Sequence, residues 1–244
     1  MNHTITIFKR ELAGYFATPV GYVFIFVFLF LAGLFTFNLG RLFEGGEATL
    51  RAFFVYLPWL FLFLVPAISM RLWAEERRQG TIELLMTLPI SMTQAVLGKF
   101  LAAWAFAVIA LLLTFPFWIT VSFLGDPDHG VIIASYAGGA LLAGGFLAIG
   151  SCISALTKNQ VVAFVLSVVV CFLFMLTSFP TVLDMLSGWM NAVLLDAVRS
   201  FSFSAHFDSI TKGVIDVRDI IFFASLITFF LFTNTLILDV KKAN

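Results

Sequence analysis

Charge is scarce in this sequence. Asp, Glu, Lys and Arg make up 11% of its 244 residues, less than half the roughly 25% of ordinary globular domains. With 61% hydrophobic residues and a mean hydropathy of +1.05, a soluble domain is excluded. The class that fits is an all-α integral membrane protein, because in hydrocarbon every backbone N–H and C=O has to be satisfied internally. Cysteine is rarer still. Cys152 and Cys171 both fall inside apolar runs, where free thiols behave as small buried hydrophobes, so neither a disulfide nor a metal site is expected. His3, His129 and His206 have no partners at metal-ligand spacing, and there is no HExxH or Cys/His cluster. No GxxxxGK[ST] loop is present, so the chain is not expected to hydrolyse ATP by itself. Leu186-Ser187-Gly188 echoes an ATPase signature but continues with Trp189 and reads as chance. No Ser-His-Asp arrangement can be argued, so an enzyme is not expected, and neither is a nucleic-acid partner.

What the sequence has is long apolar runs. Six are of a length to cross about 30 Å of hydrocarbon as helix: residues 19–39, 52–70, 95–124, 131–156, 161–179 and 218–239. The second contains Pro58 and Pro66, each of which removes a backbone hydrogen bond and predicts a kink. Pro116 divides the third, and Lys99, near its start, is placed to snorkel toward water. The fourth carries small residues at four-residue spacing, Ser135, Gly139, Ala143 and Ala140, Gly144, Ala148. Such rows let helix backbones approach closely, either within the chain or across a dimer.

Between the runs lie the segments that place the chain. Lys9, Arg10 and Glu11 stand too near the middle of residues 1–18 for a cleavable signal peptide. Ile5, Phe8, Leu12 and Tyr15 instead fall at helical spacing, which reads as a helix lying in the membrane interface or as a cytosolic lead-in. Residues 181–217 form the longest stretch between runs, suited to short surface helices or a re-entrant pair, with Trp189 as an interfacial anchor. With the N-terminus inside, the cytoplasmic side holds Lys9, Arg10, Arg71, Arg77, Arg78, Lys99, Lys158, Lys241 and Lys242. The other side holds Arg41, Arg51, Arg199, Lys212 and Arg218. The positive-inside rule therefore puts both termini and residues 71–91 in the cytoplasm.

Residues 71–91, RLWAEERRQGTIELLMTLPIS, are too charged for a bilayer core. Helix formers from Trp73 to Gln79 are interrupted by Gly80, and Thr81 is suited to cap a new turn. Ile82, Leu84, Leu85 and Leu88 supply apolar side chains, Pro89 stops the helix, and Ser91 with Gln94 forms a capping-box pattern. This run resembles the segment after the second span in permeases of type-2 ABC transporters. It is most similar to the gliding-motility-associated and nitrous-oxide-reductase maturation permeases. The resemblance implies a single permease domain over residues 1–244, with an interfacial elbow helix at 1–18. It implies a cytosolic coupling helix within 71–91 and an external segment at 181–217. Its coupling positions fall on Glu75, Glu76, Arg77, Gly80, Thr81, Glu83, Leu84, Leu85 and Pro89. The leucines would enter an apolar cleft of a separate ATPase subunit, with the charged residues around them.

Residues 205–219, AHFDSITKGVIDVRD, are similar to the segment before the last span in gliding-motility-type members. There His206, Asp208, Arg218 and Asp219 form either an external gate or partner contact, or a structural loop anchoring the last helix. The resemblance further implies a bacterial cytoplasmic membrane, two copies of an ABC ATPase carrying ATP and Mg, and a second permease copy or paralogue. It also implies a companion with a periplasmic domain, contact with membrane lipid, and no cofactor on this chain. Three functions stay open: export of a substrate, transmission of force to a periplasmic partner, and transport driven by an ion gradient. The last typically needs ionisable residues at mid-depth, and the six runs place none there.

Overall fold

The computed structural model describes residues 3–43, 48–83, 89–188, 191–214 and 216–242, and within them every regular element is helical. In chain order these are α1 (His3–Ala17), α2 (Pro19–Leu34) ending in a π-helical turn (Phe35–Leu39), α3 (Arg51–Ser69) and α4 (Arg71–Gln79). They continue as α5 (Met92–Leu112), α6 (Phe115–Leu124), α7 (His129–Leu156) and α8 (Gln160–Leu176). The chain closes with α9 (Pro180–Ser187), α10 (Ala192–Ser200), α11 (Phe203–Thr211) and α12 (Val217–Lys242). By length and composition, five helical stretches can cross a membrane: Pro19–Leu39, Arg51–Gln79, Met92–Leu124, His129–Leu156 and Val217–Val240. The remaining apolar run forms the shorter helix Gln160–Leu176. It closes before Pro180 because the Thr177 and Ser178 hydroxyls donate back to the carbonyls of Phe174 and Met175, at 2.8 and 3.2 Å.

Helix α7 is the axis of the bundle, with α3, α4, α5, α8, α11 and α12 packed around it. Its small residues make that crowding feasible. A Cβ on Gly139 would press on Leu57 of α3 and Leu111 of α5, and one on Gly144 on Trp104 of α5 and Ile227 of α12. One on Gly145 would meet Phe203 of α11 at 2.9 Å. The small-residue rows thus serve packing within the chain. Gly150 is the tightest point, since its missing side chain is replaced by Ser69 of α3, whose Cβ would lie 2.7 Å away. Gly150→Val is expected to destabilise the protein by about 1–3 kcal/mol, the usual cost of overpacking. A drop in the detergent melting temperature checks it.

Local signals end and start the helices where the sequence says. Ser91 and Gln94 form the reciprocal capping box of α5, both bonds at 3.2 Å. The Asp128 carboxylate accepts from the Gly130 and Val131 amides at the start of α7. Helix α3 continues through Pro58 and Pro66, both buried. The third run divides around Leu113 and Thr114, with Pro116 in the first turn of α6. The segment before the last span is three short helices, and α11 is the one drawn into the core. Its Phe203 is fully buried, edge-on to Phe146 at 4.9 Å between centroids. Trp189, expected as an interfacial anchor, lies outside the described residues.

Candidate functional site

Helix α4 begins one residue after α3 ends, with only Met70 between them. Its first amides therefore need acceptors from elsewhere, and they come from α7. The Ser154 hydroxyl accepts from the amides of Trp73 at 3.2 Å and Ala74 at 3.0 Å, and donates to the Met70 carbonyl at 2.9 Å. Ser154 thus caps a helix to which it does not belong. One turn earlier, Ser151 accepts from the Trp73 indole at 3.3 Å and from the Asn234 amide of α12 at 2.8 Å. Toward its other end α4 returns the favour, as Arg77 donates to the Ala155 carbonyl at 2.7 Å.

The charges of α4 are tied into the fold in the same way. The Glu75 carboxylate accepts from Arg78 and Gln79 on its own helix, and from Gln160 at the start of α8. Glu76 pairs with Lys99 of α5 at 2.8 Å, and Lys99 also reaches Glu11 of α1 at 3.3 Å. The Lys99 ammonium lies 5.4 Å from the centre of the buried Trp73 ring, within cation–π range. Lys99 is only 3% exposed, which corrects the expectation that it snorkels. The reason is Gly98: a Cβ there would meet Ile7 at 2.8 Å, so α1 lies directly over this end of α5 and covers the ammonium. Burial pulls the Glu11 carboxyl upward, but the Lys99 ammonium and then Arg10 outweigh it and hold it below its ordinary value.

The coupling positions named from sequence therefore divide. Glu75, Glu76 and Arg77 direct polar atoms to α8, α5 and α7 within the chain. Gly80 ends α4 in the left-handed conformation, φ 72°, which glycine adopts without a Cβ penalty. The Thr81 hydroxyl, expected to cap the next turn, instead donates back to the Glu76 carbonyl at 3.4 Å. Residues 81–83 are helical again, and Thr81, Glu83 and Pro89 are exposed. Leu84 and Leu85 lie outside the described residues. Sequence reasoning missed Ser151, Ser154, Gln160, Asn234 and the pairing of Lys99 with Glu11. A signal existed in Ser151 and Ser154, one turn apart at the end of an apolar run, and in Asn234, an amide within the last span.

On the opposite side, His206 of α11 and Asp219 of α12 meet, Nδ1 to Oδ1 at 2.6 Å. The other ring nitrogen faces the Ser200 carbonyl at 3.0 Å, and the ring stacks on Phe222 at 4.1 Å. The two ring nitrogens thus each face an oxygen, one of Asp219 and one of Ser200. Asp208 and Arg218 stand apart from this pair. Asp208 is bonded to Lys212 at 2.6 Å on the exposed face of α11, and Arg218 is exposed, its amide donating to Asp216. Beside them is a cleft of about 440 Å³ lined by Pro58, Trp59, Phe179, Arg199, Phe207 and Asp208 among others.

Residues 50–238, most of the chain, match the model of a family described as ABC-2 family transporter protein. No curated protein matches the sequence.

Proposed function

The chain belongs to the ABC-2 family of transporter proteins, and from that premise we propose that it is the permease subunit through which a separate ATPase drives movement across a bacterial cytoplasmic membrane. It is a multi-pass membrane protein of a family that works with an ABC ATPase. On our reading it has six spans, with α8 as the short fifth, both termini in the cytoplasm and an interfacial elbow in α1. Two ATPase copies bind ATP and Mg, and a second permease copy or paralogue completes the assembly. The run at residues 71–91 relates it most to the gliding-motility and nitrous-oxide-reductase maturation permeases, and the former kinship suggests a companion with a periplasmic domain.

The observation that carries this reading is how α4 is held. It is bonded to α7 through Ser151, Ser154 and Arg77, to α8 through Gln160, and to α5 and α1 through Lys99. A push on residues 81–91 cannot be absorbed in α4. It passes through the Gly80 joint into the cytoplasmic ends of four other helices, because packed interfaces shift between discrete arrangements rather than deform continuously. Such a push shifts the equilibrium only if the ATPase contacts residues 81–91 differently in its two nucleotide states. Passage of a substrate, as an exporter, is favoured over pure force transmission by the cleft on the other side. It offers an aromatic wall of Trp59 and Phe179 beside Arg199 and Asp208, a surface suited to an amphipathic passenger.

The test is co-purification of the chain with the proteins encoded beside it, followed by mass spectrometry. An ABC ATPase is expected in the detergent extract, and Leu84→Asp with Leu85→Asp is expected to remove it while the permease stays inserted. Full ATPase recovery with that double variant overturns the assignment of residues 84–85. A folded, inserted chain that recovers no ATPase overturns the permease reading and returns the gradient-driven transporter to first place.

A further inference from the structure

A second cleft, of about 210 Å³, opens where α1, α2, α3, α4 and α5 meet. It lies at the level where two spans begin and end. Pro19 starts α2 on one side, and the chain passes from α3 to α4 at Met70 on the other. Its walls divide by chemistry. Val20, Phe24, Ile68 and Phe106 line an apolar part continuous with the outward face of α2, where Val20 and Val23 are exposed. Three charged residues, Glu11, Arg71 and Lys99, line the polar part. Glu11 and Lys99 neutralise each other, with Arg10 and Glu76 as their further partners. Arg71 is exposed and has no bonded partner among the described residues. The cleft is thus a headgroup-sized hollow with one uncommitted guanidinium at its polar end and a hydrocarbon-facing wall at the other.

From this the geometry points to a binding site for one anionic phospholipid per chain, its phosphate on Arg71 and an acyl chain along α2. A guanidinium matches phosphate oxygens bidentately. Each basic residue near an anionic leaflet adds about 1 kcal/mol of attraction, and the exposed Lys9 and Arg10 of α1 concentrate such lipids at this surface. The apolar wall selects a lipid over a free anion, because only a lipid brings an acyl chain to pack along Val20 and Phe24 beside the bound phosphate. In this site the lipid wedges between the interfacial helix and the first two spans. The inference is independent of any ATPase, and it deals with a lipid that stays rather than one that is carried.

Native mass spectrometry of the purified full chain tests it, with phosphatidylglycerol and phosphatidylcholine offered in equal amounts. Two variants probe the two halves of the site. Arg71→Glu reverses the charge, and Gly14→Trp fills the hollow from α1, where a side chain at Gly14 meets nothing within 4 Å. Arg78→Glu, on the same helix as Arg71 but outside the cleft, controls for general surface charge. The expected result is one phosphatidylglycerol retained by the wild type and by Arg78→Glu. Binding should weaken by at least about fivefold in Arg71→Glu, since losing one interfacial charge alone costs about 1 kcal/mol and the carboxylate adds repulsion, and should fall in Gly14→Trp. Millimolar inorganic phosphate should leave the lipid in place. Equal retention of phosphatidylcholine, unchanged retention in both cleft variants, or displacement by inorganic phosphate each overturns the site. Unaltered melting temperatures in lipid-free detergent confirm that the variants are folded.

Discussion

Lys99→Met is expected to lower the melting temperature by the equivalent of about 3 kcal/mol. Removing one member of a buried ionic cluster leaves the others uncompensated, at roughly 3–5 kcal/mol. The lower end applies because Glu11 and Glu76 keep 22% and 19% of their side chains exposed, so water screens part of the loss. The Met side chain conserves most of the volume, so the deficit is electrostatic and reversible. Adding Glu11→Gln and Glu76→Gln to Lys99→Met should restore most of the stability, since three neutral groups need no counter-charge. If the triple variant melts as low as the single one, packing rather than charge explains Lys99. The node also has a pH signature. Glu11 titrates below its ordinary value in the folded chain, so protonating it favours unfolding. Its contribution is complete above the unfolded carboxylate range and disappears as pH falls through the lower, folded value. Lys99→Met should therefore flatten the acid side of the melting curve, and an unchanged acid limb would show that Glu11 draws nothing from Lys99.

The cluster also shows which features a single sequence carries. The capping box at Ser91 and Gln94, the break at Gly80 and the division of the third run near Pro116 were legible, because each depends on residues within one helical turn. The existence of the apolar helices was legible for the same reason, since hydropathy over some twenty residues decides it. The orientation of Glu75, Glu76 and Arg77 was not. A charged run between apolar segments reads equally well as a partner surface, and only the tertiary fold brings Gln160, Lys99 and the Ala155 carbonyl within reach. Lys99 was misread because snorkelling assumes an open path to water, and the helix that blocks this path lies some ninety positions away. At the other face the histidine and Asp219 were foreseen together, whereas Asp208 found a nearer partner in Lys212, four residues on at the end of its own helix. Local ion pairs of that kind compete with every longer-range pairing a sequence suggests.

Ser154→Ala carries the second large effect, and it separates binding of an ATPase from response to it. The Ser154 hydroxyl serves three backbone groups, the Trp73 and Ala74 amides and the Met70 carbonyl, where α3 turns into α4. Alanine fills nearly the same space and serves none. The Trp73 amide, which precedes the first intrahelical bond of α4, is left without an acceptor at about 1–3 kcal/mol, so a loss of about 2 kcal/mol is expected. Ser167→Ala is the matched control, since Ser167 is equally buried but its hydroxyl bonds only the Ala163 carbonyl within its own helix. That control should be nearly neutral. The functional consequence follows from where the bonds lie. Residues 81–91 are beyond Gly80, so Ser154→Ala leaves the proposed docking segment unchanged while loosening α4 from α7. Amide exchange at Trp73 and Ala74 should rise, ATPase recovery in the pull-down should persist, and stimulation of ATPase turnover by the permease should fall severalfold. Persistent stimulation despite faster exchange would mean that the push travels through the Lys99 node to α5 and α1 instead. In that case Lys99→Met, combined with Glu11→Gln and Glu76→Gln to keep the fold, becomes the variant that uncouples.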